Sequence, residues 1–341
     1  MYELCIYIKY PIFKHMQIRC RCGDACIKPA SEVLNEIELF YSPCAECETP
    51  KLKKFSPLTR QIDLNDITVD FGRCDCNKRH LDIAIAHVLK IMIEEGVKDQ
   101  KSSLRNTCTP LITPAFPLKS APYLPENSMV ILSEDVTKEC AQKIIDEVSE
   151  VKGVLKGDLR ETAGIKDINY NPNVYELLAG CDIRCDIVQT PYGSLCIHKY
   201  QGKVHIEFPK IKSPKIEILQ KVLDKYEAPS VLDCTCGPGT LGIACLKAGA
   251  RRVIFNDLWF PAVTMTAINI EANGFPVDFW NPKRNVVAEG ENFKAYSLDI
   301  RELGEVLDEE FDICIIDAFP DVDTTDFEKA AGKLGKKVVV I

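Results

Sequence analysis

No stretch of the chain approaches the roughly 18 consecutive apolar residues that a membrane-spanning helix needs. Met1 to Tyr10 holds a few apolar residues but no apolar core with a small-residue cleavage site behind it. That segment is expected to form an edge strand, and the protein to be cytoplasmic with no membrane contact. Internal repeats and low-complexity tracts are also missing. An excess of positive charge is missing: the net charge of −8 argues against a generic nucleic-acid coat. Residues 1–110 carry 16 basic and 15 acidic groups, whereas residues 230–341 carry 11 and 18. A nucleic-acid partner would therefore have to be met mainly by the front of the molecule.

Cysteine is plentiful. There are 17, an odd number, and nine lie in residues 1–108. An even disulfide framework belongs to smaller secreted domains, so metal binding in a reducing cell is the expectation. Cys234, Cys236, Cys245 and Cys314 sit in apolar segments and read as core fillers. At 341 residues the chain can hold two or three domains.

Short strands are expected at Gln17–Arg21, Glu36–Tyr41 and Ile67–Phe71, followed by a helix over Leu81–Glu95 with apolar residues at helical spacing. Residues 99–126, proline-rich and aperiodic, read as a linker or extended wrap. A small α+β unit over 127–190 should hold strand Asn127–Ser133, helix Val136–Val151, strand Gly153–Leu155 and a short helix at Val174–Leu178. Asp186–Val188 and Gly193–Lys199 are then expected to pair with Lys203–Phe208 through a turn at Tyr200–Gly202. A helix over Lys215–Tyr226 leads into regular alternation. Strands are expected at 230–233, 252–256, 293–298, 312–317 and 336–341, and helices at 241–248, 261–273, 301–308 and 325–333. The fold class is α/β, a doubly wound, mostly parallel sheet over 191–341. In front of it stand the small middle domain and a zinc-ribbon-like module over 1–98.

The densest chemical signal is Asp233-Cys-Thr-Cys236-Gly237-Pro-Gly239. A strand ends in an acid, and a glycine loop opens a small-residue helix, so backbone N–H groups can face a nucleoside ligand. The motif is read as Asp-x-x-x-Gly-x-Gly rather than the dinucleotide form Gly-x-Gly-x-x-Gly. Asp257, 24 residues after Asp233, ends the second strand, where a carboxylate can accept from ribose hydroxyls. Asp299 ends the third strand, placed for an adenine amine, and Asp317 ends the fourth, placed for an acceptor. A single acid after a strand is ordinary turn chemistry. Four at successive strand ends beside one glycine loop make a site.

These residues resemble the class I S-adenosylmethionine-dependent methyltransferases over about residues 190–341. Asn256-Asp257-Leu-Trp259-Phe-Pro261-Ala262 through Asn269-Ile-Glu-Ala-Asn273-Gly274 is similar, more narrowly, to the tRNA guanine methyltransferases. The resemblance implies S-adenosylmethionine as cofactor, with Leu258, Trp259 and Ile300 joining Asp233, Cys236, Gly237, Gly239, Asp257 and Asp299. Trp259 or Phe260 would flank the adenine. Asp317-Ala318-Phe319-Pro320 departs from the Asn/Asp-Pro-Pro-aromatic motif of amine-methylating relatives. Asp317 can still accept from a target amine while Phe319 stacks on its ring beside Pro320. The chain also stops at the fifth strand, so the usual terminal antiparallel pair is missing or supplied from elsewhere.

Cys44-x-x-Cys47 reads as a metal knuckle, and Cys20-x-Cys22 with Cys26 and Cys74-x-Cys76 with His80 add two clusters. Together they could fill two tetrahedral sites, with zinc expected and an iron–sulfur cluster the alternative. His15, His87 and His205 read as ordinary residues. Lys51, Lys53 and Lys54 with Phe55, and Lys78-Arg79, could meet RNA phosphates beside a stacking ring. The expected activity is methylation of a base nitrogen in RNA, tRNA first. A small-molecule acceptor is the alternative, and a non-catalytic metal-dependent binding protein the third reading.

Overall fold

The computed structural model describes residues 18–23, 25–164 and 172–341. The edge strand expected at Met1–Tyr10, His15 and the start of Gln17–Arg21 lie outside them; Ile18–Arg21 forms no strand. Helix α1 (Ala30–Phe40) occupies the place expected for a strand at Glu36–Tyr41. The alternation at Ile37 and Leu39 that suggested a strand is the tail of a helical stripe. Ala30 and Val33 are buried while Leu39 is 76% exposed. Ile67–Phe71 is a run of turns in which Ile67 alone is buried. The cysteine segments between them lie on turns, and β1 (Arg79–His80) is only two residues long. No ribbon of paired hairpins is present among the described residues.

Helix α2 (Leu81–Glu94) is capped by His80 and shares one core with the middle unit of the chain and with Tyr41, Leu58 and Ile67 of the N-terminal part. The next elements are β2 (Thr109–Ile112), β3 (Tyr123–Leu124), β4 (Met129–Ser133), α3 (Lys138–Glu147), β5 (Val151–Lys156) and β6 (Glu176–Gly180). Strands run β2-β4-β5-β6, with β4 and β5 parallel across α3, the expected βαβ unit. Leu89 and Met92 of α2 share one core with Ile131, Ile144 and Val154. The stretch 99–126 is built into this unit: β2 is the edge strand of the sheet and β3 pairs with β1. The short helix expected at Val174–Leu178 is strand β6 instead, paired antiparallel with β5. Arg79, fully buried, is ion-paired to Glu150, which Arg73 also reaches at 3.1 Å.

The hairpin is shifted relative to expectation. β7 (Ile183–Val188) pairs with β8 (Leu195–Tyr200), from Ile183 opposite Tyr200 to Val188 opposite Leu195. The turn lies at Thr190–Gly193, where Thr190 Oγ1 donates to the Gly193 carbonyl at 2.6 Å and Gly193 has φ +106°. Lys203–Phe208 is irregular, and Val204–Phe208 lines a cleft instead.

After α4 (Pro214–Leu223), strands and helices alternate, with an unexpected antiparallel pair inserted before the third parallel strand. They are β9 (Ser230–Asp233), α5 (Thr240–Lys247), β10 (Arg252–Asn256), α6 (Phe260–Ala272), β11 (Phe279–Trp280), β12 (Val286–Gly290), β13 (Phe293–Tyr296), α7 (Leu303–Val306), β14 (Ile313–Ile316), α8 (Thr325–Ala331) and β15 (Val338–Val340). The sheet order is β11-β12-β13-β10-β9-β14-β15. The five strands from β13 to β15 are parallel, and antiparallel β11–β12 covers the β13 edge. Chain order reverses between β9 and β14, and crevices of this kind open at the carboxyl ends of such strands. No described helix is long and apolar enough to cross a membrane.

Candidate functional site

A cleft of about 710 Å³ opens at that reversal, lined by Gly237, Asp257, Trp259, Asp299, Asp317 and Phe319 among others. Its floor is the loop between β9 and α5. Gly237 and Gly239 have φ of +53° and +90°, a region L side chains avoid. A Cβ on Gly239 would come within 2.9 Å of Thr266, whereas one on Gly237 would point into open space. Thr266 Oγ1 donates to the Gly237 carbonyl at 2.8 Å, and Cys236, which is buried, donates its N–H to the Asn256 carbonyl. The glycines continue to Gly242, whose absent Cβ lets the Phe255 ring approach. The loop therefore also satisfies Gly-x-Gly-x-x-Gly, so its glycine spacing does not by itself separate a methyl donor from a dinucleotide.

The four acids differ in surroundings. Asp233 lies fully buried beneath the loop rather than in the cleft wall. Its Oδ2 accepts from Gly242 N at 2.9 Å and its Oδ1 has no partner. Burial, with Asp317 and Asp257 nearby, pushes its pKa up to about 8. Asp257 accepts from Gly237 N and Trp259 N, both at 2.8 Å, and burial raises it to about 6. Asp299 is gripped by Arg301, which donates from its backbone and Nε and holds the carboxyl below its usual range. Leu258 and Ile300 also face the cleft. Asn256, buried between the strand ends, bonds Cys234 O, Leu298 O and Leu298 N.

Asp317 follows β14. Its N–H donates to Thr235 Oγ1 at 2.8 Å, and its Oδ2 meets Lys215 Nζ at 2.7 Å. Burial pushes Asp317 up and Lys215 limits the rise, while the Lys215 ammonium is held above its ordinary value by Asp317 against the effect of burial. Sequence reasoning did not single out Lys215. Behind it a line of charge crosses the wall: Lys215 to Glu207 at 3.7 Å, Glu207 to Lys199 at 3.0 Å and Lys199 to Asp186 at 3.0 Å. Phe319 meets the His205 ring edge-on at 6.2 Å, so His205 belongs to the cleft, and Pro320 lines it as well.

The β7–β8 hairpin is stitched to this domain by two side chains in and just after α6. Asn273 Oδ1 accepts from Cys196 N and its Nδ2 donates to Cys196 O; Asn269 does the same for His198. Asn269 Nδ2 also donates to Pro238 O in the glycine loop at 2.9 Å. Four residues apart along the helix, the two amides face the same way and stand in for a neighbouring strand.

Sequence comparison bears on this domain. Residues 214–300 match the family model "Ribosomal protein L11 methyltransferase (PrmA)". A ribosomal protein L11 methyltransferase of Chromobacterium violaceum is 40% identical over 94 residues, 27% of this chain and 31% of that protein. Ribosomal RNA large subunit methyltransferase I of Photobacterium profundum is 37% identical over 89 residues, 26% of this chain and 19% of that protein. Residues 214–300 are thus similar to methyltransferases. The matches span under a third of the length of these curated relatives. Among solved structures, Trm5b from Pyrococcus abyssi is similar at 18% identity, covering 60% of this chain and 54% of that one, with a TM-score of 0.36. The methyltransferase match ends at residue 300, so it covers Gly237, Gly239 and Asp257 but not Asp317–Pro320.

Elsewhere, the Sγ atoms of Cys44, Cys47, Cys74 and Cys76 all lie within 4.8 Å of one another, from two turns brought face to face. Cys44–Cys47 and Cys47–Cys76 are 3.6 Å apart and Cys44–Cys74 is 3.4 Å. His80 does not join them. Its Nδ1 accepts from Asp82 N at 3.1 Å, capping α2, and its ring lies against Tyr123. A second group unites Cys20, Cys22 and Cys26 with Cys181, which sequence reasoning had not linked to them.

Proposed function

We propose that the protein transfers a methyl group from S-adenosylmethionine to a base nitrogen in RNA, with tRNA the first candidate. The observation that carries the reading is one cleft walled by Gly237, Asp257 and Asp317 at the reversal of the parallel sheet. The residues suit the donor. Gly237 lines the cleft and leaves open space where a side chain would stand, and Asp233, buried beneath the loop, braces it through Gly242 N. Asp257, held by two backbone N–H groups, would accept from ribose hydroxyls, with Leu258, Trp259 and Ile300 around the base. Asp299 is already engaged by Arg301, so its part in adenine recognition requires that pair to share or shift.

The donor, when bound, supplies a methyl group already activated on a sulfonium. This chain then has to align an acceptor and take one proton. Asp317 accepts a hydrogen bond from the target N–H and is the group placed to hold its proton. Lys215 favours the ionised form of that carboxylate against its burial and fixes its direction. Phe319 offers a ring face for the target base.

RNA is favoured by the cleft rim. Phe208, 54% exposed, and Lys210 line it, and Ile211, 77% exposed, and Lys212 follow them in the chain. Far along the chain, Phe55 is 82% exposed beside Lys53 and Lys54. Exposed rings among cations suit single-stranded bases and phosphates. A protein amine is the second reading, because the matched family is named for ribosomal protein L11. Zinc at Cys44, Cys47, Cys74 and Cys76 completes the reading. A Zn–S bond of about 2.3 Å implies a tetrahedral edge of about 3.8 Å, near the spacing seen. Thiolates this close suit one shared ion better than separate irons of a cluster.

Calorimetry with S-adenosylmethionine on native protein and Asp257→Ala tests the donor site. Saturable heat in the native protein and at least tenfold weaker binding in the variant are expected. No heat with either would overturn the reading in favour of a non-catalytic binding protein.

A further inference from the structure

Three of the four cysteines in the second group come from one tight turn. Gly23, with φ +88°, lets its N–H return to the Cys20 carbonyl, so Cys20, Cys22 and Cys26 present their sulfurs to one point. The fourth, Cys181, is 161 residues beyond Cys20, between β6 and β7. Sγ separations are 3.5 Å for Cys20–Cys181, 3.4 Å for Cys20–Cys22 and 3.5 Å for Cys22–Cys26. These approach the tetrahedral edge of about 3.8 Å that zinc–thiolate bonds imply. Cys22 is exposed, so burial of apolar thiols does not account for the gathering.

We infer that Cys20, Cys22, Cys26 and Cys181 form a second metal centre, a tetrathiolate zinc site that fastens the N-terminal segment to the methyltransferase half. Its surroundings connect it to the cleft. Tyr200, the last residue of β8, has its hydroxyl 3.6 Å from Cys20 Sγ and accepts from Arg21 N at 3.0 Å. The Arg21 guanidinium lies 4.5 Å over the Tyr200 ring. Asp182, next to Cys181, accepts from Gly202 N at 2.8 Å. The chain then runs through Lys203, whose carbonyl accepts from Trp259 Nε1 at 2.6 Å, and on through His205–Phe208 along the cleft wall. Ile18 N also donates to Glu271 Oε2, so the segment grips α6 directly. The metal thus fixes the start of the path that shapes the acceptor wall. The inference does not depend on which acceptor is methylated.

Zinc content of the full chain is measured after challenge with a colorimetric chelator, for native protein, Cys22→Ser, Cys181→Ser, Cys44→Ser and the pair Cys22→Ser/Cys44→Ser. Cys22 is exposed, so its variant tests the site even where Cys181→Ser fails to fold. Two ions per chain are expected in native protein, one in each single variant and none in the pair. Cobalt substitution should give tetrahedral thiolate absorption that halves in Cys22→Ser. Hydrogen exchange at Tyr200–Phe208 should quicken at least tenfold in Cys22→Ser and stay unchanged in Cys44→Ser. One ion in native protein, two retained in Cys22→Ser, or equal exchange in the two variants would overturn it.

Discussion

The Lys215 ammonium lies 2.7 Å from Oδ2 of Asp317, joining the start of α4 to the end of β14 across 102 residues. This pair heads the line of ion pairs along the wall proposed to hold the acceptor. Asp317→Asn should keep donor affinity and lose about 100- to 10,000-fold in kcat, the range for a positioned proton acceptor. Lys215→Met should lower kcat less and move the acid limb of the pH–rate profile upward, because Asp317 would lose the cation that favours its ionised form. Steady-state kinetics across pH check both. An unmoved profile in Lys215→Met would count against the pairing.

The two glycines of the loop should separate stability from binding. Gly239→Ala places a Cβ 2.9 Å from Thr266 at φ +90°, so thermal melting should show a loss of about 1–3 kcal/mol. Gly237→Ala meets open space and should cost less stability while weakening donor binding more. Melting curves and calorimetry on the same two variants distinguish the effects.

Asn269→Ala removes bonds to His198 N, His198 O and Pro238 O at once. Unsatisfied buried groups cost about 1–3 kcal/mol each, so a large drop in melting temperature is expected. Asn273→Ala, lacking the reach to Pro238, should destabilise comparably while leaving donor affinity closer to native.

Asp233 and Asp257 carry folded-state values of about 8 and about 6, both raised by burial. The folded protein therefore holds protons that the unfolded chain releases near pH 4. Stability from these groups is present below about pH 4 and is lost as pH rises, through about 6 for Asp257 and about 8 for Asp233. The limiting slope is about 1.4 kcal/mol per pH unit for each proton. Denaturant titrations of native protein and Asp233→Asn between pH 5 and 9 should converge at low pH. At high pH the variant should gain relative to native.

What could be read in the sequence was local. The glycine loop, the strand-end acids and the parallel strands from Ser230 to Val340 each announce themselves within about ten residues, although Asp233 lies beneath the loop outside the cleft and the β11–β12 pair carries no such signal. Closure across the chain was hidden. Nothing near Lys215 marks it as the partner of Asp317, and Cys181 looks like any buried thiol until the Cys20 turn is folded against it. The hairpin lies elsewhere than expected because both Thr190–Gly193 and Tyr200–Gly202 have turn chemistry, and packing of β8 against Asn269 and Asn273 decides between them. His80 was assigned to a metal for its proximity to Cys76, yet its backbone position before α2 makes it a helix cap.

Transfer of labelled methyl from S-adenosylmethionine into fractionated RNA, protein and small-molecule extracts, with native protein and Asp317→Asn side by side, is the decisive measurement. The account predicts label in a small structured RNA fraction, on a base nitrogen after hydrolysis to nucleosides, and loss of that label in the variant. Label in protein or small molecules alone, or equal label with Asp317→Asn, would contradict it.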